Sequence, residues 1–568
     1  MASKRLKSLI DGHWLYSELA KHQTSFGKAV LLNVLINLFQ IVTSLFVMVV
    51  YNKVLPNNAV SSLYTLVIGI SIVVVFDTIF KLIKSRIISM ATDNVEEKLQ
   101  HQLFQKILSW DLQSKPKLSG AASTLIRDIE TISELFTTSS VTTIVGIPFI
   151  VINSFVIYLF ASPLALVTLG IALVAFVASV YFYLRVKNIS GAAKQASIDK
   201  NSIYLEALSN LETLKSIGSY SYFTNRYQQS DTAQRDFSCK LKNILSDANT
   251  FNTALSSIAQ ISLVSVGALL VINAIIDPGA LFAAVILNGK TLQPVMQLAS
   301  LLQKYSVAKV SYEKLNKTFE FTSEEEKRRQ NISLSKLKGP IIAHGIKFQP
   351  NEIPNPILEV NKCIIKDGEK IGIVGSVGSG KTTFLKLLAG ILTPTAGSIS
   401  YGSYDTTAIN QTDLRRDVSY LGQNPGVFAG TFRDNICIGN AEISDEKIDE
   451  CISLTGLDQV LKKFQNGLSY QLSENGSELS GGQKQILALT RAILAEPKFV
   501  YFDEPTSAMD PRHENLFIRQ MRSFLLNRTF VVVTHRKPIL SLVNRLLVIE
   551  NGRIIMDGKR DEVLKKFS

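Results

Sequence analysis

Three runs of residues in the second half of this 568-residue chain could do chemistry together. The first is Gly375-Ser376-Val377-Gly378-Ser379-Gly380-Lys381-Thr382, which leaves the apolar strand pattern Ile371-Gly372-Ile373-Val374 and enters a helical stretch from Thr383 to Ala389. Glycines let such a loop curl until successive amide groups and the helix N-terminus surround phosphate. Lys381 would reach the β and γ phosphates, and the Thr382 hydroxyl can ligate Mg2+. The second run, Phe499-Val500-Tyr501-Phe502, is a strand that delivers Asp503 and Glu504 at its carboxyl end, where parallel α/β sheets hold their ligands. Asp503 suits a Mg2+ shell, and Glu504 suits the group that orients or deprotonates an attacking water. The third, Leu479-Ser480-Gly481-Gly482-Gln483, opens a helix whose apolar face carries Ile486, Leu487, Leu489, Ile493 and Leu494. A Ser-Gly-Gly turn at a helix N-terminus is a second anion-binding device. Transfer of a phosphoryl group from a nucleoside triphosphate to water is the chemistry that the three runs share.

These runs need an α/β scaffold, and 341–568 reads as one: short strands and helices alternate, with Gly punctuation and no run long enough to span a membrane. The stretch before it reads differently. No charge lies between Lys28 and Lys53, and Ala29 to Tyr51 can cross about 30 Å of hydrocarbon at 1.5 Å per residue. Further apolar runs cover Leu63 to Phe80, Val141 to Phe160, Leu164 to Leu184, Ser257 to Ile276 and Gly279 to Leu302. Turns at Leu55-Pro56-Asn57-Asn58, Ser162-Pro163 and Asp277-Pro278-Gly279 separate the members of each pair. The expectation is a membrane all-α region of six transmembrane helices at 29–321, preceded by a cytoplasmic segment 1–28. A linker at 322–340, charged from Ser323 to Arg329, joins it to the α/β P-loop NTPase domain at 341–568.

Short cytoplasmic loops collect Lys and Arg. The loop 81–133 carries Lys81, Lys84, Arg86, Lys98, Lys106, Lys115, Lys117 and Arg127, and 185–253 has a similar load, whereas the opposite turns carry only Lys53. Both termini therefore face the cytoplasm. Residues 1–338 hold 33 Lys and Arg against 22 Asp and Glu, and 339–568 hold 27 against 25, so the net +13 belongs mostly to the membrane half. It reports orientation and argues against a nucleic-acid partner. The pattern Val95, Leu99, Leu103, Ile107 predicts helices that continue past the bilayer. The four cysteines, Cys239, Cys363, Cys437 and Cys451, show no C-x-x-C spacing and read as incidental thiols. The basic start Met1 to Leu9 lacks the apolar core and cleavage site of a signal peptide.

With the phosphate loop and Asp503-Glu504, Leu479-Ser480-Gly481-Gly482-Gln483 resembles the signature sequence of ABC ATPases at every position. The resemblance implies ATP and Mg2+ as cofactors and adds residues one at a time. Gln423, in Tyr420-Leu421-Gly422-Gln423, resembles the glutamine that contacts Mg2+ and the lytic water. Ser507-Ala508-Met509-Asp510 resembles the loop that crosses the dimer interface, with Met where Leu is usual, and His535 resembles the switch histidine that holds the γ-phosphate. The implied catalytic residues are Glu504, His535 and Gln423. The implied Mg2+ ligands are Thr382, Gln423 and Asp503. The ATP contacts would be Gly375, Ser376, Val377, Gly378, Ser379, Gly380, Lys381, Thr382 and Thr383, with Ser480, Gly481, Gly482, Gln483 and Asp510. One departure stands out: Ile346-Lys347-Phe348-Gln349-Pro350 puts proline where the family has an adenine-stacking aromatic. Stacking of that kind is worth about 1–3 kcal/mol, so weaker nucleotide affinity is expected, and Phe348 reads as core. A homodimer is implied, two nucleotide domains sandwiching two ATP molecules between the phosphate loop of one protomer and Ser480–Gln483 of its partner.

The order of the two parts resembles ABC exporters. His13-Trp14, Asn37-Leu38-Phe39, the segment from Val50 to Ala59, and Ala280-Leu281-Phe282 to Pro294 are similar to type I protein secretion ATPases. That resemblance implies a multi-pass protein of the bacterial inner membrane that exports an unfolded protein substrate through a periplasmic adaptor (membrane fusion protein) and an outer-membrane channel. With about 28 residues ahead of the first span, the peptidase-like N-terminal domain of many members is not expected. Lys290 would lie roughly 18 Å from the outer end of the last span. A cation at that depth belongs either on the translocation path or in a structural pair. Asp77 is expected to pair with Lys81 at i, i+4. A multidrug or lipid exporter, or a non-transporting ATP-gated regulator, would share every ATPase motif; only the Tyr51 to Ala59 region and its relatives speak for protein export.

Overall fold

The computed structural model describes residues 13–113, 124–321, 332–350, 354–439 and 443–567. The chain separates into two compact units, Met1–Leu108 with Pro116–Phe321, and Ser109–Lys115 with Thr322–Ser568. The basic start, Lys115, Lys117 and the charged run 323–329 lie outside the described residues.

The first unit is helical. Its elements are α1 (Trp14–Lys21), α2 (Gln23–Val49) with a π-turn Val50–Val54, α3 (Val60–Leu108), α4 (Leu125–Ser133), α5 (Thr138–Ser209), α6 (Leu211–Ile217), α7 (Tyr220–Ile272) and α8 (Pro278–Glu320). At 1.5 Å per residue, the 49 residues of α3 extend about 74 Å, far beyond a bilayer, as the Val95 to Ile107 period predicts. Among the described residues four helical segments are long and apolar enough to cross a membrane: Gln23–Val54, Val60–Leu108, Leu125–Ser209 and Tyr220–Ile272. The third holds two of the expected spans, because α5 leaves helical geometry at Ala161 (φ −149°, ψ 59°), two residues before Pro163. The sixth expected span, the start of α8, is helical but not among those four. Its Ala280, Ala283, Ala284, Leu287 and Thr291 are buried against protein, where small residues let backbones approach closely, so it needs less apolar surface than a lipid-facing span.

Segments far apart in sequence meet at one end of this bundle. Asn52 accepts from the N–H of Gly279 (2.7 Å) and donates to Asp277 (3.2 Å), satisfying a donor that the start of α8 would otherwise leave open. Tyr51 stacks on Phe282 with centroids 4.3 Å apart. Elsewhere, the buried carboxylate of Asp128 on α4 is held by Lys194 of α5 (2.5 Å), Ser311 (3.1 Å) and Lys314 (3.0 Å) of α8. The i, i+4 pair Asp77–Lys81 forms at 2.5 Å.

The second unit is built on a six-stranded sheet whose strands lie in the order β12 (Arg553–Lys559), β11 (Arg545–Glu550), β3 (Lys370–Val374), β10 (Thr529–Val533), β9 (Phe499–Asp503) and β6 (Val418–Leu421), flanked by a four-stranded antiparallel sheet in the order β2 (Leu358–Ile365), β1 (Ile341–Phe348), β4 (Ala396–Tyr401) and β5 (Tyr404–Asp405), while β7 (Gly430–Thr431) and β8 (Gln471–Leu472) pair by themselves. Every residue of β9 and β10 is buried, which explains their continuous apolar runs: a parallel sheet covered on both faces has no solvent side. Three helices frame the site, α9 (Lys381–Leu388), α10 (Gly481–Leu494) and α11 (Pro511–Phe524). The four cysteines are unpaired.

Candidate active site

Strand register assembles the site. Strands β3, β10, β9 and β6 are adjacent and parallel, with Ile373 opposite Val533, Val533 opposite Asp503, and Phe502 opposite Leu421. The chain that follows each of them, carrying Gly375, His535, Glu504 and Gln423, therefore emerges along one edge, the carboxyl edge where such sheets bind ligands.

Gly375 turns the chain out of β3 at φ +148°, and a Cβ there would lie 2.0 Å from the Ile549 carbonyl oxygen. No other residue fits. The loop then curls into Gly380, the N-cap of α9. The Lys381 ammonium donates to the carbonyls of Gly375 (3.0 Å) and Ser376 (2.7 Å), which places it in the mouth of the loop. Burial pulls its pKa below the ordinary lysine value, with Glu504 and Asp503 opposing. Asp503 is 2% exposed; burial pushes its carboxyl up, and a hydrogen bond with the Thr382 side chain opposes that most. Burial also raises Glu504, opposed chiefly by the charge of His535, whose Nε2 lies 3.7 Å from Glu504 Oε1. Glu504 takes φ +50°, a region where a non-glycine residue is uncommon.

The donor set fits a magnesium nucleotide. Asp503 Oδ2, Glu504 Oε1 and Ser379 Oγ are buried without a hydrogen-bond partner, although orphaned buried oxygens are costly. Among the described residues no group of three or more His, Cys, Asp or Glu could hold a metal. An ion here would be held by Asp503, the Thr382 hydroxyl and the phosphates themselves, the usual arrangement for Mg2+ at phosphate sites.

Ser480 N-caps α10 in a reciprocal box with Gln483: Ser480 N–H donates to Gln483 Oε1 (2.8 Å), and Gln483 N–H to Ser480 Oγ (3.4 Å). Among the described residues no hydrogen bond joins this turn to the phosphate loop of the same chain. It packs instead on the loop Ser507–Asp510, with Gly482 against the Ala508 carbonyl. Asp510 caps α11, accepting from the N–H groups of Arg512 and His513, both at 2.9 Å. Gln423 is exposed beyond β6. Phe348 is buried in β1 and so is not open to a base, and Pro350 is half-buried. Lys290 is exposed on α8, and among the described residues no ion pair joins it. Two residues outside the expected set join the site's backbone, Gln485 and Arg536. Nothing in the local sequence marks Gln485, which follows Gln483 and Lys484 as one more polar residue of its helix.

Family models agree with both halves of this description. The ABC transporter transmembrane region matches residues 26–295, and the ABC transporter model matches 359–507. The toxin RTX-I translocation ATP-binding protein of Actinobacillus pleuropneumoniae is 26% identical over 98% of this chain and 78% of its own length. The leukotoxin export ATP-binding protein LtxB of Aggregatibacter actinomycetemcomitans and the alpha-hemolysin translocation ATP-binding protein HlyB of Escherichia coli are each 27% identical over the same shares. Among solved structures, a bacterial Atm1-family ABC exporter with ATP bound superposes with a TM-score of 0.80 over 97% of both chains at 19% identity, a likeness of fold. The chain thus belongs to the ABC transporters, a multi-pass membrane protein in which a transmembrane region of that family precedes an ATP-binding domain whose hydrolysis of ATP is coupled to transport.

Proposed function

We propose that this chain is the ATP-driven permease of a type I secretion system, exporting an unfolded protein across the bacterial inner membrane. The observation that carries the reading is the run of similarity along 98% of the chain to translocation ATP-binding proteins for a toxin, a leukotoxin and a hemolysin. The junction of Tyr51 and Asn52 with Asp277 to Phe282 supports it, since it unites the two segments whose sequence resembles that group. The protein would work as a homodimer with both termini in the cytoplasm, alongside a periplasmic adaptor and an outer-membrane channel. The exposed cation Lys290 would suit an acidic chain on the path.

At each nucleotide, the phosphate loop of one protomer and the Ser480 turn of its partner would close on ATP. Lys381 exchanges the carbonyls of Gly375 and Ser376 for the β and γ phosphates. Thr382, Asp503 and Gln423 would hold Mg2+, which supplies charge neutralisation between those phosphates. Glu504 orients the lytic water and accepts its proton as the water oxygen bonds to the γ phosphorus and the bond to the bridging oxygen breaks. His535 steadies the γ-phosphate. Closure would open the membrane path outward, and hydrolysis would reset it.

Two experiments test this. Deleting the chain and comparing secreted proteins should remove one large protein from the medium; an unchanged set, with ATPase activity stimulated by drugs or lipids, would overturn protein export. In the full-length protein, Glu504→Gln should bind ATP and lose turnover, and wild-type turnover would remove Glu504 from its role.

A further inference from the structure

We propose that Gln485, two residues beyond the Leu479–Gln483 run, is the positioning residue that locks Glu504 and the loop Ser507–Asp510 into one hydrolysis-competent piece. The proposal rests on the reading of Glu504 as the group that handles the lytic water.

Gln485 sits in the second turn of α10 and is 1% exposed, among Ile486, Leu487 and Leu489. A buried amide is costly unless its donors and acceptor are met, and here all of them point at one place. Nε2 donates to the Glu504 carbonyl (2.8 Å) and to Ser507 Oγ (3.2 Å), while Oε1 accepts from the Ala508 N–H (3.2 Å).

Glu504 needs such support because its φ of +50° is held only when the surroundings over-determine it. Its own N–H donates to the Val533 carbonyl (2.9 Å), which fixes it to the sheet, and its carbonyl accepts from the Ser507 N–H (3.2 Å), which closes the turn. Among the described residues, Gln485 is the one side chain that grips this carbonyl and the loop at once. Arg536 holds the far side of the loop through the carbonyls of Ser507 and Met509, each at 3.1 Å, and ends on Glu514 (3.3 Å). It makes no hydrogen bond to Glu504. Losing the Gln485 amide therefore frees the Glu504 backbone to relax and swings its carboxylate off the water. Nucleotide binding by the phosphate loop is spared, because Lys381 and Thr382 stand on α9 and make no hydrogen bond to Gln485.

The test uses full-length protein in lipid nanodiscs, measuring kcat, KM for ATP and the melting midpoint. Gln485→Met keeps the side-chain volume and loses all three bonds. Gln485→Glu keeps the acceptor for Ala508 but turns a carboxylate on the Glu504 carbonyl. A misplacement near 1 Å costs a reaction roughly a hundredfold, so kcat should fall about ten- to a hundredfold in both, with KM within about twofold and the Glu variant the slower. A Met variant with wild-type kcat, or one whose KM and melting change in step with kcat, overturns the proposal. Should neither variant fold, Ser507→Ala on the exposed loop decides: a kcat reduced a few-fold at constant KM upholds the link, and an unchanged kcat overturns it. Glu504→Gln run in parallel separates the two readings. If it is inactive while Gln485→Met is normal, only this proposal fails; if it turns over normally, the reading beneath fails with it.

Discussion

A methyl group added at Gly482 would sit 2.6 Å from the carbonyl oxygen of Ala508. Ordinary contact begins near 3.4 Å, so the loop must retreat by roughly 0.8 Å, and a backbone oxygen cannot rotate out of the way. Gly482 lies in the first turn of α10 without a positive φ, so alanine costs nothing in backbone strain and gains up to about 1 kcal/mol in helix propensity. The displaced loop is the one whose Ala508 N–H reaches Gln485 at 3.2 Å and whose carbonyls bind Arg536. A shift near 1 Å beside reacting groups costs roughly a hundredfold in rate, or about 2.7 kcal/mol of barrier. Forcing a packed backbone apart costs about 1–3 kcal/mol of stability, which outweighs the helix gain, so Gly482→Ala should melt somewhat lower than the parent and hydrolyse ATP on the order of a hundredfold more slowly, a loss far larger than the fraction unfolded accounts for. Gly481 is the comparison, because a methyl there meets only the Ala508 side chain at an ordinary 3.5 Å. Steady-state ATPase and thermal unfolding on both variants, in nanodiscs, give the answer. Equal losses at the two positions, or wild-type kcat in Gly482→Ala, would refute the crowding argument and leave direct nucleotide contact as the explanation.

Two further outcomes follow from the geometry. Glu504 can accept a proton only when ionised, and burial raises its pKa above the ordinary 4.5, so kcat should fall with decreasing pH through an acidic limb centred above that value. His535→Gln removes the main opposing charge and should move the limb higher in whatever activity remains; a limb at or below 4.5 contradicts the assignment. In the membrane unit, Asn52→Ala strips the start of α8 of its partner for the Gly279 N–H, a loss comparable to a helix cap, about 0.5–2 kcal/mol. A lowered melting midpoint with intact nucleotide binding is expected, and an unchanged midpoint counts against the junction.

Much of the local structure could be read directly. The strand, loop and helix around Gly375 to Thr383 stand where the glycine spacing and the apolar run put them, because near-neighbour sterics decide such a turn. Ser480 caps its helix for the same local reason. The charged runs and apolar stretches marked the membrane half, yet only packing explains why the start of α8 is less apolar than the other spans: Ala280, Ala283, Ala284, Leu287 and Thr291 are buried against protein. Phe348, read as core from its pattern, is buried.

What the chain's order of residues determined by itself is the set of local pieces: which segments curl around phosphate, which cap a helix, which end in Asp503-Glu504, and which are long and apolar. Tertiary structure decided how they meet. Only the order β3-β10-β9-β6 and its register bring residues near 375, 423, 504 and 535 to one edge, since pairing between distant strands leaves no mark in local spacing. Only packing shows that Glu504 holds a left-handed backbone, and that Gln485, which in sequence is one more polar residue on a helix, has every hydrogen bond directed at it and its loop. A buried amide and an exposed one look alike until their neighbours are in place.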